Sequence, residues 1–312
     1  MIRFGLILPH AGTMSDPDTL IELATRAERN GFYAVVESSD HVIVPRKINA
    51  TYPYSDTGRY TDFPEDLEQL TTLSFLASKT DKIRLVTGIM VLPYRNPIYA
   101  AKALATIDHL SKGRLIVGVG VGWLKEEFDV LRLQFEERGA MADECIRSFI
   151  ELWTDENPRF KGKYYEFSDV VFSPKVVQKP HPPIWIGGES KLAIDRAARL
   201  GDGWLPLRGN PKHPLEIADQ LKARVTTLKD SARKHKRSPD EIEVGYLSPT
   251  YEQGSSAEGT LFVGDARKIA GDISKLEKLG VSFLGLDFTR GTLTETLELI
   301  DEFTTQVLPF LF

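Results

Sequence analysis

The order of apolar runs along this chain predicts an α/β fold of one class, a (β/α)8 TIM barrel with insertions after strand 2 and before strand 5. Three observations carry the prediction. Eight short apolar runs alternate with longer stretches of helical periodicity, the count a barrel requires and more than a doubly wound sheet ordinarily has. No linker or shift of composition divides the chain, so residues 1–312 read as a single domain. The length of 312 residues exceeds the roughly 250 of a plain barrel and leaves about sixty for insertions.

Strand 1 is the run Ile2–Leu8, closed by Pro9. Asp16 and Pro17 then supply an N-cap and a proline whose fixed φ suits the first helical position. Leu20, Leu23, Ala24 and Ala27 recur at helical spacing, and Gly31 stands where a C-cap glycine would. Phe32–Glu37 is strand 2. Val44–Pro64 has no period and forms the first insertion, before a helix over Leu67–Thr80. The run Ile83–Leu92 precedes a helix over Pro97–Leu110, and Arg114–Val121 precedes a helical region over Lys125–Trp153. The second insertion, Asp155–Pro183, carries two segments of extended character, Tyr164–Phe167 and Val170–Phe172. Strand 5, Ile184–Ile186, leads into Lys191–Leu200, and strand 6, Gly203–Leu207, into Pro214–Lys234. Strand 7, Ile242–Leu247, precedes Ala266–Leu279; strand 8, Val281–Phe288, precedes Leu293–Val307.

An apolar share of 42% with 27% charged residues is that of a folded globular protein. A formal charge of −5 with no long run of one sign argues against a dedicated binder of nucleic acid or of an anionic membrane, since both need a concentrated basic footprint. Cys145, the one cysteine, excludes an intramolecular disulfide and a cysteine-based metal site. No stretch approaches the apolar length of a membrane span, and the opening Met1-Ile2-Arg3-Phe4 runs into Pro9 rather than continuing as a signal peptide would. A cytoplasmic protein acting on a small molecule is the expectation.

Barrel enzymes keep their catalytic groups at the carboxyl ends of the strands. Ser38-Ser39-Asp40-His41 follows strand 2 directly. A histidine there can move protons near neutral pH, and Asp40 can meet a ligand through its carboxylate or backbone; a structural role is the alternative for each. His10, past strand 1, has a weaker form of the same claim. Gly118-Val119-Gly120-Val121-Gly122-Trp123 closes strand 4. It is not the dinucleotide fingerprint, because Trp123 stands where the third glycine would fall. Glycine at every second position clears one face of a strand end for a neighbouring backbone or a flat ring.

Gly187-Gly188-Glu189-Ser190 ends strand 5 just before a helix. Free N–H groups and the helix dipole suit a phosphate there; an ordinary turn capped by Ser190 has the same sequence. Arg95 and Arg290, past strands 3 and 8, read as surface charge or as anion contacts. Tyr52, Tyr54, Tyr60 and Phe63 make the first insertion either a lid over a flat ligand or a surface loop pinned by its aromatics. The six histidines show no ligand spacing, and HExxH, P-loop and GxSxG patterns are missing, so metal or serine-nucleophile chemistry has no support.

Together these segments make the chain similar to the luciferase-like monooxygenase superfamily, and within it to the branch dependent on the deazaflavin coenzyme F420. The resemblance runs nearly end to end. It rests on Phe4-Gly5-Leu6 with Leu8-Pro9, Ser39-Asp40-His41, Thr87-Gly88-Ile89, Leu92-Pro93 and Asn96-Pro97. Leu110-Ser111-Lys112-Gly113-Arg114 leading into Gly118–Trp123, Pro183–Gly188 and Gly201-Asp202-Gly203-Trp204 complete it.

The resemblance implies a redox ring over a bulge in strand 3 that contains a non-prolyl cis peptide, matched here by Gly88-Ile89. It places Asp40 beside the ring and His41 in a catalytic role. It also places Gly120 and Gly122 near the cofactor, and Gly187, Gly188, Glu189 and Ser190 around its phosphate. Sugar-phosphate dehydrogenases of the family carry a glutamate where this chain has Trp123, so their reaction is not carried over; Trp123 would stack on ring or substrate, or fill the barrel mouth. The function so implied is F420-dependent hydride transfer to or from a small organic substrate by a homodimeric, luciferase-like barrel. An FMN-dependent monooxygenase using reduced flavin and dioxygen is the alternative, and a non-catalytic flavin-binding relative a further one.

Overall fold

The computed structural model describes residues 1–10, 12–60, 67–254 and 260–311 of the chain. Within them eight parallel strands close on themselves: β1 (Arg3–Ile7), β2 (Ala34–Glu37), β3 (Arg84–Thr87), β4 (Leu115–Gly120), β5 (Ile184–Gly187), β6 (Gly203–Leu205), β7 (Glu243–Ser248) and β8 (Val281–Asp287). Each pairs with the next, and β8 returns to β1 from Arg3↔Phe283 to Ile7↔Asp287. The expected (β/α)8 barrel is the fold.

Nine helices surround these strands among the described residues: α1 (Pro17–Arg29), α2 (Gln69–Ala77), α3 (Pro97–Leu110), α4 (Lys125–Val130), α5 (Arg138–Thr154), α6 (Lys191–Leu200), α7 (Ala218–Lys234), α8 (Ala266–Lys278) and α9 (Leu293–Glu302). None of the described helices is long and apolar enough to cross a membrane.

The strands read as unbroken apolar runs because a parallel barrel buries both faces. Alternate residues divide between two cores. Ile7, Ala34, Val36, Val86, Ile116, Trp185, Leu205, Leu247 and Phe283 fill the lumen, while Leu6, Val35, Leu85, Val117, Ile186, Trp204 and Leu284 pack under the helices. Small residues make room for the large lumen rings. A Cβ on Gly5 would stand 2.4 Å from Cζ of Phe283, and one on Gly203 would stand 2.4 Å from Cδ1 of Trp185.

The start of α1 follows its sequence signals. The Asp16 carboxylate accepts from the N–H groups of Asp18 and Thr19 at 3.1 Å, Pro17 opens the helix, and Gly31 follows it with φ +78°. The stretch from Lys125 to Trp153 is not one helix. α4 stops after two turns because Arg132 takes a left-handed φ of 57° and the Leu133 N–H turns back to the Phe128 carbonyl at 2.8 Å, a helix-terminating pattern that usually uses glycine. The helix expected from Pro214 begins at Ala218, where the Gln220 side chain accepts from the N–H groups of Glu216 and Ile217. In the second insertion the extended pieces are Phe160–Lys161 and Glu166–Phe167, paired antiparallel, and Val170–Phe172 forms no strand. Residues 44–60 of the first insertion hold no helix or strand, and Phe63 lies outside the described residues.

Candidate active site

Because all eight strands run the same way, the segments after β2, β3, β4 and β5 emerge at one mouth of the barrel. Strand β3 carries a bulge there. Leu85 and Val86 pair with Leu115 and Ile116, whereas after the bulge Met90 and Val91 pair with Val119 and Gly120, so β3 has one residue more than β4 over this span. The extra residue falls in Thr87-Gly88-Ile89, and the Gly88–Ile89 peptide is cis, as the resemblance implies. The bulge is fastened on both sides, by the Gly88 N–H to the Glu37 carbonyl at 2.8 Å and the Thr87 hydroxyl to the Gly118 carbonyl at 2.7 Å.

The glycines of β4 and β5 serve the bulge. A Cβ on Gly118 would lie 2.0 Å from the Thr87 carbonyl oxygen, one on Gly120 would lie 2.3 Å from Cδ1 of Ile89, and one on Gly187 would lie 2.7 Å from its Cγ2. Of the two sequence-based readings of these glycines, Gly118 follows the first, admitting a neighbouring backbone, while the space beside Gly120 and Gly187 is taken by the Ile89 side chain. Gly122, with φ +80°, turns the chain away from β4 against Phe128 and Val91.

Asp40 and Arg95 form a bidentate ion pair, with Nη1 to Oδ2 at 2.8 Å and Nη2 to Oδ1 at 2.6 Å, and their side chains are 2% and 9% exposed. Oδ2 also accepts the Val91 N–H at 2.5 Å. Burial pushes the Asp40 carboxyl above its ordinary value, and the Arg95 and Val91 contacts pull it back. The structure thus ties Asp40 to the strand after the bulge. Arg95, read from sequence as surface charge or an anion contact, is largely covered and already paired, with Asp40 and with Glu68. Arg290 donates to the carbonyls of Thr289 and Tyr251. The Ser38 hydroxyl and His10 Nδ1 lie 3.3 Å apart.

His41 has a partner that sequence reasoning missed. Its Nδ1 lies 2.7 Å from Oε2 of Glu127, whose side chain is 0% exposed. The same carboxylate accepts from the N–H groups of Val42 and Ile43 at 2.7 and 3.1 Å and from the Tyr94 hydroxyl at 2.9 Å. Burial and the adjacent carboxylate push the Tyr94 phenol well above its ordinary range. A signal was present in the sequence: Leu124, Glu127 and Phe128 share one face of α4, so Glu127 interrupts an apolar stripe.

Trp123 joins the aromatics of the first insertion around His41. Its ring centroid is 6.1 Å from His41, edge-on at 89°, and 5.0 and 5.3 Å from Tyr52 and Tyr60, while Tyr60 lies 5.5 Å from His41.

At the end of β5, Gly188 adopts φ +99° and Ser190 caps α6 by accepting the Ala193 N–H at 3.2 Å. Among the first-turn donors this leaves the N–H groups of Lys191 and Leu192 without an intrahelical acceptor. Glu189 turns away from that turn. Its carboxylate accepts from the Leu207 N–H at 2.9 Å, the Asn210 amide at 2.9 Å and the Tyr54 hydroxyl at 3.3 Å. Burial raises its pKa against those hydrogen bonds. Through Tyr54 it anchors the first insertion across the mouth.

The closed parallel barrel is a TIM barrel, and its carboxyl mouth, where barrels of this class keep their functional groups, carries a histidine–carboxylate pair and a bulged third strand. The chain belongs to the luciferase-like monooxygenase family, whose model matches residues 2–258. It is 34% identical over 224 residues to an FMNH2-dependent dimethylsulfone monooxygenase of Pseudomonas putida, covering 70% of this chain and 55% of that protein. The match thus spans little more than half the length of that relative. Among solved structures the fold is similar to the monooxygenase RslO1 of Streptomyces bottropensis, with a TM-score of 0.78, 21% identity and 99% of each chain covered. It is also similar to the coenzyme F420-dependent tetrahydromethanopterin reductase of Methanopyrus kandleri, with a TM-score of 0.76, 18% identity and 100% and 99% of the two chains covered.

Proposed function

We propose that this protein is an F420-dependent oxidoreductase passing hydride between the coenzyme and a small organic substrate, with its 312 residues acting as one barrel domain. The observation that carries the reading is the 2.7 Å contact between His41 and Glu127 at the same mouth as the Gly88–Ile89 bulge. Such a pair is a proton-transfer device, and hydride transfer at a C–O centre must be matched by a proton at the oxygen.

The residues present fit a tricyclic ring with a phosphate tail. Ile89 forms an apolar platform between two glycines, and the turn from Gly187 to Ser190 offers N–H groups from which the Glu189 carboxylate is turned away. When bound, F420 would supply the carbon that accepts or donates hydride. Ile89, Gly120 and Gly187 would support the ring, and Gly188, Ser190 and the first turn of α6 would hold the phosphate. His41 would take or return the proton of the substrate oxygen through Nε2. Trp123, Tyr52 and Tyr60 would shield His41 from water, while Asp40 keeps Val91 and Arg95 in place behind the bulge.

A second reading, an FMN-dependent monooxygenase, is favoured by the 34% identity to the Pseudomonas putida enzyme. Both coenzymes suit the same turn and platform. The two readings part under nitrogen: reduced F420 with a panel of small aldehydes, ketones and conjugated carbonyl compounds should be reoxidised by the protein without oxygen. Turnover only with reduced FMN and dioxygen would replace the first reading by the second.

A further inference from the structure

We propose that Glu127 is the positioning residue of His41, holding its imidazole with the proton on Nδ1 and leaving Nε2 as the acceptor. Its catalytic consequence rests on the proton-transfer reading of His41; the tautomer itself does not.

The argument begins with donors and acceptors. A carboxylate offers about four lone-pair sites, and four groups converge on this one: His41 Nδ1 and the Tyr94 hydroxyl on Oε2, and the Val42 and Ile43 N–H groups on Oε1. Two of the four are backbone amides, which only donate. No lysine or arginine among the described residues pairs with Glu127, so hydrogen bonds alone satisfy a fully buried acid. With its sites occupied by donors, Glu127 acts as an acceptor, and the ring nitrogen 2.7 Å away must carry the hydrogen. The Val42 and Ile43 contacts add a second hold, because the carboxylate that orients the ring also fixes the main chain just after it. Nε2 has no hydrogen-bond partner among the described residues, and the ring is confined by Tyr60 and Trp123.

With the ring proton on Nδ1, the His41 Nε2 lone pair is then free to accept a proton from a substrate hydroxyl, and the imidazolium so formed faces the Glu127 carboxylate. Without Glu127 the ring can rotate or adopt the other tautomer. Loss of an orienting carboxylate of this kind lowers turnover by up to about 10⁴-fold in the serine-protease triad.

The test is a two-bond ¹H–¹⁵N correlation spectrum of protein labelled at the histidine ring nitrogens, with the His41 signals assigned by their loss in His41→Gln. Wherever its ring carries a single proton, wild-type His41 should show that proton on Nδ1 and none on Nε2. Glu127→Gln should shift or mix that pattern and lower kcat with KM nearly unchanged, while Tyr94→Phe, which keeps the His41 contact, should preserve it. A wild-type His41 whose single proton sits on Nε2 would overturn the proposal even if no Glu127 variant folds. The stated tautomer with full turnover in His41→Gln would instead retire the proton-transfer reading and leave the Glu127 assignment standing.

Discussion

Ile89 fills the space that a side chain at position 120 would need: a Cβ on Gly120 would lie 2.3 Å from its Cδ1. The glycines of strand β4 therefore determine the shape of the proposed ring platform. Gly120→Ala should push Ile89 upward into the mouth at an overpacking cost of about 1–3 kcal/mol, and coenzyme affinity should fall at least tenfold. Shortening the obstructing side chain with Ile89→Val in the same chain should recover part of the affinity. Titration of the wild-type protein and the two variants checks this, and unchanged binding in Gly120→Ala would separate the platform from the binding site.

The Asp40–Arg95 pair predicts a stability effect. Removing one member leaves the other charge buried, which costs about 3–5 kcal/mol. Arg95→Met should therefore melt well below the wild-type protein. The double variant Asp40→Asn with Arg95→Met should lose less than the sum of the two single changes, because they share one interaction. Additive losses in thermal unfolding would contradict the pairing.

These two sites differ in how far sequence anticipated them. The barrel was legible because parallel strands buried on both faces leave apolar runs, and caps such as Asp16-Pro17 mark where helices begin. The bulge at Gly88-Ile89 was legible only through family resemblance. Glu127 was not recognised, since its partner His41 lies 86 positions away and becomes a neighbour only when α4 folds over the mouth. Arg95 was misread for the same reason, with Asp40 55 positions away. Charged residues buried by a long-range partner look like surface charge until the barrel closes.

Glu28 predicts part of the acid sensitivity. Burial opposes its ionisation, but the N–H groups of Ile83, Lys82 and Asp81 outweigh it, and the carboxyl is held below its ordinary value. A carboxyl with a folded pKa lower than its unfolded one stabilises the fold above about pH 4.3, and that contribution is lost as pH falls through the folded value. Glu28→Gln should lower the melting temperature at neutral pH and reduce its drop between pH 5 and pH 3. A parallel melting curve with the same acid drop would remove Glu28 from the account.

Cys145 should be inert in the folded protein. It is fully buried on α5, and burial pushes its thiol up to about 12, so almost no thiolate is available to an alkylating reagent. Iodoacetamide should label the chain only in denaturant, as read by mass spectrometry. Rapid labelling of native protein would contradict the packing around α5.

The most direct measurement is a fluorescence titration of the purified protein with F420 and, separately, with FMN, repeated on His41→Ala. The account predicts saturable F420 binding of nearly equal affinity in both proteins, with turnover about 10²–10⁴-fold lower in the variant. Tight binding of FMN with none of F420 would contradict it.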